Sequence, residues 1–170
     1  MSALSFRPYL AKDAEATAEL FVASILELGP EEYSADQCAA WASAAEDVTA
    51  FGEKLGGMLT ILAEAKGELV GFASLKDNKQ LEMLYVAPEH ARNGIGKALL
   101  GVMELLARQR GADALTADAS EVAREFFVRF GYEMQARNTV MRADEWLVNT
   151  TMKKSLKAES HPLATPKASA

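Results

Sequence analysis

Leu84-Tyr85-Val86-Ala87-Pro88-Glu89-His90-Ala91-Arg92-Asn93-Gly94-Ile95-Gly96-Lys97-Ala98-Leu99-Leu100 is the stretch on which the reading of the fold turns. It begins as a strand, is stopped by Pro88, passes through a loop with two glycines and continues as an amphipathic helix. The start of a helix offers backbone N–H groups without intrahelical partners and the positive end of the helix dipole, so it is suited to an anion. Glycines at 94 and 96 remove side chains where a diphosphate would approach the backbone. Arg92 and Lys97 add positive charge. The spacing does not fit a Rossmann dinucleotide site: no third glycine stands at the expected place, and the strand ends a meander instead of opening a βαβ unit.

Working outward, the residues before this stretch predict a first strand at Leu4 to Arg7. A helix follows, with Ala14, Ala18, Phe21, Ile25 and Leu28 at helical spacing, ended by Gly29-Pro30. Ser34 is placed to cap a second helix that reaches about Ala45, and a third short helix is expected from Val48 to Leu55. A three-strand meander covers Met58 to Glu64, Leu69 to Leu75 and Gln80 to Val86, with turns at Lys66-Gly67 and Asp77-Asn78. Beyond the quoted loop, a helix from Gly96 to Arg110 lines up Ile95, Leu99, Val102 and Leu106. Glu104 and Arg108 are spaced to pair, and Gly111 closes the helix. A strand at Ala114 to Ala117 and a helix from Glu121 to Phe130 follow, the helix carrying Val122, Phe126 and Phe130 as its apolar stripe. The last pair of strands spans Tyr132 to Met141 and Trp146 to Lys154. One domain over residues 1–157 and a disordered tail over 158–170 are expected.

The chain has 170 residues, 49% hydrophobic and 25% charged, with a net charge of −6. That composition is globular, and its acidity argues against binding nucleic acid through a basic face. Its one cysteine, Cys38, excludes an intrachain disulfide and reads as a small buried residue. His90 and His161 lie far apart with no cysteine beside either, so no metal site is expected. Met1 to Pro8 has no signal-peptide pattern, and no apolar run is long enough for a membrane helix. The expectation is a cytoplasmic protein, monomeric or homodimeric.

The order of elements and two motifs resemble the GCN5-related N-acetyltransferase (GNAT) superfamily. Its donor motif, Q/R-x-x-G-x-G/A, is similar to Ala91-Arg92-Asn93-Gly94-Ile95-Gly96, with Ala91 departing from the usual Gln or Arg. A second motif, a small residue followed by an aromatic pair and a Gly-aromatic end, resembles Ala123-Arg124-Glu125-Phe126-Phe127-Val128-Arg129-Phe130-Gly131-Tyr132. Tyr33-Ser34 with Trp41, the Asp118-Ala119-Ser120 turn and the Phe126-Phe127 pair look like the YafP-like branch. The resemblance implies an α/β (α+β) GNAT fold: a mixed, mostly antiparallel sheet of about six to seven strands flanked by helices. It implies acetyl-CoA as acyl donor, no metal, and a small amine or lysine-like acceptor. Leu84, Tyr85 and Val86 would offer backbone groups to the pantetheine arm, and Asn93, Gly94, Ile95, Gly96 and Lys97 would cradle the pyrophosphate with Arg92 nearby. Ala123, Phe126 and Phe127 would border the same ligand. Ser120 is either a pantetheine contact or a helix cap, with Asp118 and Glu121 as a competing capping pair.

Transfer to an amine requires a base, since an ammonium of pKa about 10.4 has no lone pair. By resemblance and by strand alternation, which puts residues 80, 82, 84 and 86 on one face, Glu82 is the first candidate and Asp118 the second. Relatives that protonate the departing thiolate use a tyrosine where Phe127 stands here. Unassisted departure, Tyr33, Tyr85 and Tyr132 remain the options. Tyr33, Trp41 and Trp146 are expected in the acceptor pocket. A non-catalytic acyl-CoA-binding module on the same fold is the alternative reading.

Overall fold

The computed structural model describes residues 3–157. The expected tail, residues 158–170, lies outside them. Seven strands form one sheet: β1 (Leu4–Pro8), β2 (Leu59–Ala65), β3 (Glu68–Lys76), β4 (Gln80–Val86), β5 (Ala114–Ser120), β6 (Glu133–Arg142) and β7 (Glu145–Ser155). Their order is β1-β2-β3-β4-β5-β7-β6. Only β4 and β5 are parallel; the other pairs are antiparallel. Helices α1 (Ala14–Leu28), α2 (Ala35–Ala42) and α3 (Val48–Gly56) cover one face, and α4 (Ile95–Gln109) and α5 (Arg124–Arg129) the other.

Local chemistry accounts for most boundaries. Ser34 and Gln37 form the capping box that starts α2: Gln37 N donates to Ser34 Oγ (3.1 Å) and Ser34 N to Gln37 Oε1 (2.9 Å). Gly111 and Gly131 close α4 and α5 at φ of 90° and 92°, a region that glycine enters without strain. Lys66-Gly67 and Asp77-Asn78 turn as expected, all four at positive φ. Gly29 does not end α1 in that way. It stays right-handed (φ −60°) and leads into a short 3-10 turn, and a Cβ there would stand 2.7 Å from Cys38 Sγ. The requirement is close approach to a buried cysteine, not a left-handed turn.

The sequence reading departs from the structure at several helix details. The buried stripe of α4 is Ile95, Leu99, Leu100, Met103 and Ala107; Val102 and Leu106 only flank it. Glu104 does not pair with Arg108. It takes Lys154 Nζ at 3.1 Å and the Tyr132 hydroxyl at 3.0 Å, while Arg108 donates to the Leu156 carbonyl. Long-range partners on β7 outcompete the weak exposed i,i+4 pair. The expected helix at 121–130 shortens to Arg124–Arg129, and the buried ring is Phe127, with Phe126 and Phe130 half-buried beside it. Residues 118–120 are the end of β5 and not a turn, so Asp118 and Glu121 do not form a capping pair.

Candidate active site

Two irregularities in the sheet make the site. First, the parallel pairing of β4 with β5 covers only Gln80↔Thr116 and Leu81↔Ala117. Beyond Leu81, β4 stays paired with β3, up to Gly71↔Val86, but leaves β5. Its backbone from Glu82 to Val86 therefore presents an open edge on that side. Second, β4 carries a bulge. Ser74 pairs with Met83 and Leu75 with Leu81, which leaves Glu82 as the extra residue. The bulge shifts the phase of the strand. Leu81, Leu84 and Val86 enter the core beneath α4, and Met83, Tyr85 and Ala87 the core beneath α1 to α3. The expectation that 80, 82, 84 and 86 share a face is thereby corrected. Gln80 and Glu82 open with Tyr85 into the cavity, and Leu84 and Val86 face the other way.

The helix after the open edge starts without a side-chain cap. Gly94 is left-handed (φ 83°), and a Cβ added there would meet nothing within 4 Å. The first capping bond runs from Ala98 N to Gly94 O at 3.0 Å, which leaves the amides before it at the free end of the helix. Arg92, also at positive φ (63°), is exposed and has Glu31 at 3.8 Å. Lys97 lies 5.9 Å from the centre of the Phe130 ring. Phe126 covers the same helix start: a Cβ on Gly96 would lie 3.4 Å from its Cε2. Ala123 precedes α5 as its uncapped first turn.

On the α1–α3 face, a cavity of about 160 Å³ opens between β4, β5 and the β6–β7 hairpin. Glu82, Asp118, Ser120, Tyr33, Trp41 and Tyr85 all reach its wall. Glu82 accepts from Gln80 Nε2 (3.2 Å) and has Lys54 Nζ at 3.5 Å. Asp118 accepts from the Thr151 hydroxyl at 2.7 Å, which in turn accepts from Asn138 Nδ2 at 2.8 Å. Ser120 Oγ accepts from Ala123 N (3.2 Å), closing the turn after β5 while its own proton stays available. Five hairpin residues not anticipated from sequence, Val140, Arg142, Leu147, Val148 and Asn149, also line the cavity. Trp146 does not. It is 56% exposed, and strand alternation turns it away from the face on which Leu147 meets the cavity.

Residues 30–156 match the family model for the acetyltransferase (GNAT) domain. The chain belongs to this family. It is 29% identical over 153 residues to "Uncharacterized N-acetyltransferase YafP" of Escherichia coli (strain K12), over 90% of this chain and 97% of that protein. Among solved structures it is similar to a GCN5-related N-acetyltransferase from Rhodopseudomonas palustris. That match has 50% identity and a TM-score of 0.89, over 91% of this chain and 97% of the other. The PaiA N-acetyltransferase of Thermoplasma acidophilum, solved in complex with coenzyme A, shares the fold at 20% identity with a TM-score of 0.74, over 90% and 99% of the two chains.

Within this GNAT N-acetyltransferase the tyrosines sort by their partners. Tyr33 is buried, and its hydroxyl both donates to the Val148 carbonyl (2.7 Å) and accepts from Glu121 N (2.9 Å). Burial raises its pKa. Tyr132 is fixed on Glu104, away from the cavity, and burial followed by that carboxylate raises its pKa well above the ordinary range. Tyr85 lines the cavity beside Trp41, whose indole is its side-chain hydrogen-bond partner. Burial holds its hydroxyl well above the usual range, with the Trp41 hydrogen bond and then Arg142 acting in the opposite sense and Glu82 in the same sense. Phe127 sits in the core, edge-on to Phe126 (5.3 Å) and Tyr132 (5.1 Å).

Proposed function

We propose that this enzyme moves the acetyl group of acetyl-CoA to the amine of a small molecule or lysine-like group, by direct attack in a ternary complex. The observation that carries the reading is the continuity of three features: the uncapped start of α4, the open edge of β4 and the cavity holding Glu82, Asp118 and Tyr85. In this reading the amides of residues 93–97 hold the pyrophosphate, with Arg92 nearby. The free backbone of Leu84, Tyr85 and Val86 takes the pantetheine arm as an added strand would be taken. Phe126 and Ala123 border the arm, and Ser120 donates to it. The residues present fit such a ligand because nothing fills the space in front of Gly94.

Glu82 removes a proton from the acceptor ammonium, with Asp118 as the second carboxylate at the same cavity. The neutral nitrogen then bonds to the thioester carbon to give a tetrahedral oxyanion; on its collapse the carbon–sulfur bond breaks and the nitrogen releases its second proton to solvent. A backbone N–H on the open edge of β4 stabilises the oxyanion. Tyr85 serves as a hydrogen-bond donor to the sulfur, not as a full acid. Its pKa is raised far above the ~8.5 expected for a thiol, so proton transfer from it would be uphill. The thiolate takes its proton from solvent. The test is Gly94→Val, which brings a branched side chain to a left-handed position in front of the helix. Calorimetry should show lost CoA binding in a folded protein, and thiol release with an amine library should fall with it. Unchanged CoA affinity would remove the donor site from this position.

A further inference from the structure

The cavity carries charge of both signs. Glu82 and Asp118 lie on the side made by β4 and β5, and Arg142 on the side made by the β6–β7 hairpin. Among the described residues Arg142 is the only cationic side chain on the wall, Lys54 being paired with Glu82 without lining the cavity. Its single side-chain hydrogen bond goes from Nη1 to the neighbouring Met141 carbonyl at 3.3 Å, and among the described residues it forms no ion pair. Glu145 stands opposite it across the hairpin without pairing. The guanidinium thus keeps a fork of donors, the geometry that matches a carboxylate with two parallel bonds.

Arg142 is exposed, and its backbone is set by the hairpin. The two residues that join β6 to β7, Ala143 and Asp144, both have positive φ (41° and 67°), the requirement of a tight type I′ hairpin. An alanine at positive φ is strained, so the tip is held by the pairing of the strands, which continues through Met141↔Trp146 and Arg142↔Glu145. The rings of Trp41 and Tyr33, 5.7 Å apart, and the aliphatic Val140 and Leu147 line the same cavity. The volume, about 160 Å³, suits a small molecule.

We infer that the acceptor is a small amine that also bears a carboxylate, as in a free α-amino acid with an apolar side chain. Its carboxylate sits on the Arg142 fork, its amine between Glu82 and Asp118, and its side chain against Trp41, Val140 and Leu147. This rests on the acetyl-transfer reading of the same cavity and narrows it. Arg142 here is a binding residue. It holds the acceptor and takes no proton.

The experiment compares matched acceptors: phenylalanine, phenylalaninamide and 2-phenylethylamine, and the corresponding leucine, leucinamide and 3-methylbutylamine. Thiol release is measured for the parent, Arg142→Gln and Arg142→Lys. In the parent the acids should exceed the amides and plain amines by about tenfold or more in kcat/KM, the scale of a site built to bond a polar group. Arg142→Gln should erase that advantage through KM with kcat little changed, and Arg142→Lys should restore part of it. Equal use of acid and amide by the parent, or a preference that survives Arg142→Gln, overturns the inference. If no amine releases thiol, the acetyl-transfer reading fails instead. Calorimetry on CoA-saturated protein then decides the carboxylate separately, with N-acetylphenylalanine against its amide. Binding of the acid alone, lost in Arg142→Gln, upholds the inference; equal binding, or none of either, ends it.

Discussion

Glu82 is held from two sides, by Gln80 and by Lys54, at the residue that the β4 bulge sets apart. Glu82→Gln preserves shape and removes basicity. It should lower kcat by ~10²-fold near neutral pH, the usual scale of a general base. The loss should shrink as the pH approaches the acceptor's own pKa, where the amine is already neutral. A pH–rate profile decides it: an unchanged rate throughout would pass the role to Asp118. Tyr85→Phe should cost about tenfold, the worth of one hydrogen bond to a charged atom, without moving the profile. A different residue governs acid stability. Asp13 accepts from both Nη atoms of Arg7 and from Leu10 N, each at 2.8 Å, and the Arg7 bonds hold its pKa below the usual value. A lowered carboxylate pKa contributes stability above the unfolded value of about 3.9 and loses it as pH falls through the folded one. Asp13→Asn should therefore cost roughly 1–2 kcal/mol at pH 7, allowing for solvent screening at Arg7, and much less at an acid pH where the folded carboxylate is protonated. Urea midpoints at the two pH values check this.

At the scale of elements, α4 is set by what it rests on. A Cβ on Gly71 of β3 would lie 3.0 Å from Leu99 Cδ1, 3.0 Å from Tyr85 O and 3.2 Å from Ile95 Cγ2. Gly71→Ala should destabilise by about 1–3 kcal/mol through overpacking. Because Ile95 is the first residue of α4, it should also weaken CoA binding. A variant with parent stability and parent affinity would show that α4 can shift freely. Gly71 carried no sequence signal, since a glycine in a strand does not reveal which helix presses on it. The contrast with Gly94 and Gly96 is instructive. Their place before an amphipathic run exposed them, together with the element order and the aromatic motif after β5. Strand phase was less legible. Bulges at Glu82 in β4 and between Met134 and Ala136 in β6 interrupt the alternation. Counting by twos therefore misassigned Leu84 and Val86 and could not bring Arg142, Val140 and Asn149 to one cavity. Trp146, on the last strand pair, is expected in the pocket as a large aromatic, but its neighbour Leu147 takes that face. Those assignments needed the register of three strands at once, which residues adjacent in sequence do not encode.

At the scale of the molecule, the sheet is two blocks, β1 to β4 and β5 to β7, joined in the sheet by the two register pairs of β4 with β5. Behind that seam, α4 and the core containing Leu99, Met103, Leu115 and Met152 hold the blocks together. A ligand that adds itself to the open edge of β4 while Ser120 and the start of α5 border it from the other block would contact both sides of the seam. Its binding energy should then appear as stability of the whole domain. At a hundredfold excess over Kd, CoA should add about 2.7 kcal/mol to unfolding, a rise in Tm of roughly 5–10 °C for a domain of this size. Hydrogen exchange should report where that energy enters. Amides on the open side of β4 between Glu82 and Val86, and those of residues 93–97, have no ladder or helix acceptor in the free protein and should slow most. The outer strands β1 and β6 should slow only as far as global stability rises. In Gly94→Val, both the Tm shift and the local protection should disappear together. Protection that stays uniform across the sheet, or that concentrates at β6 instead of at the seam, would mean that CoA binds elsewhere and that the gap between β4 and β5 is not its path.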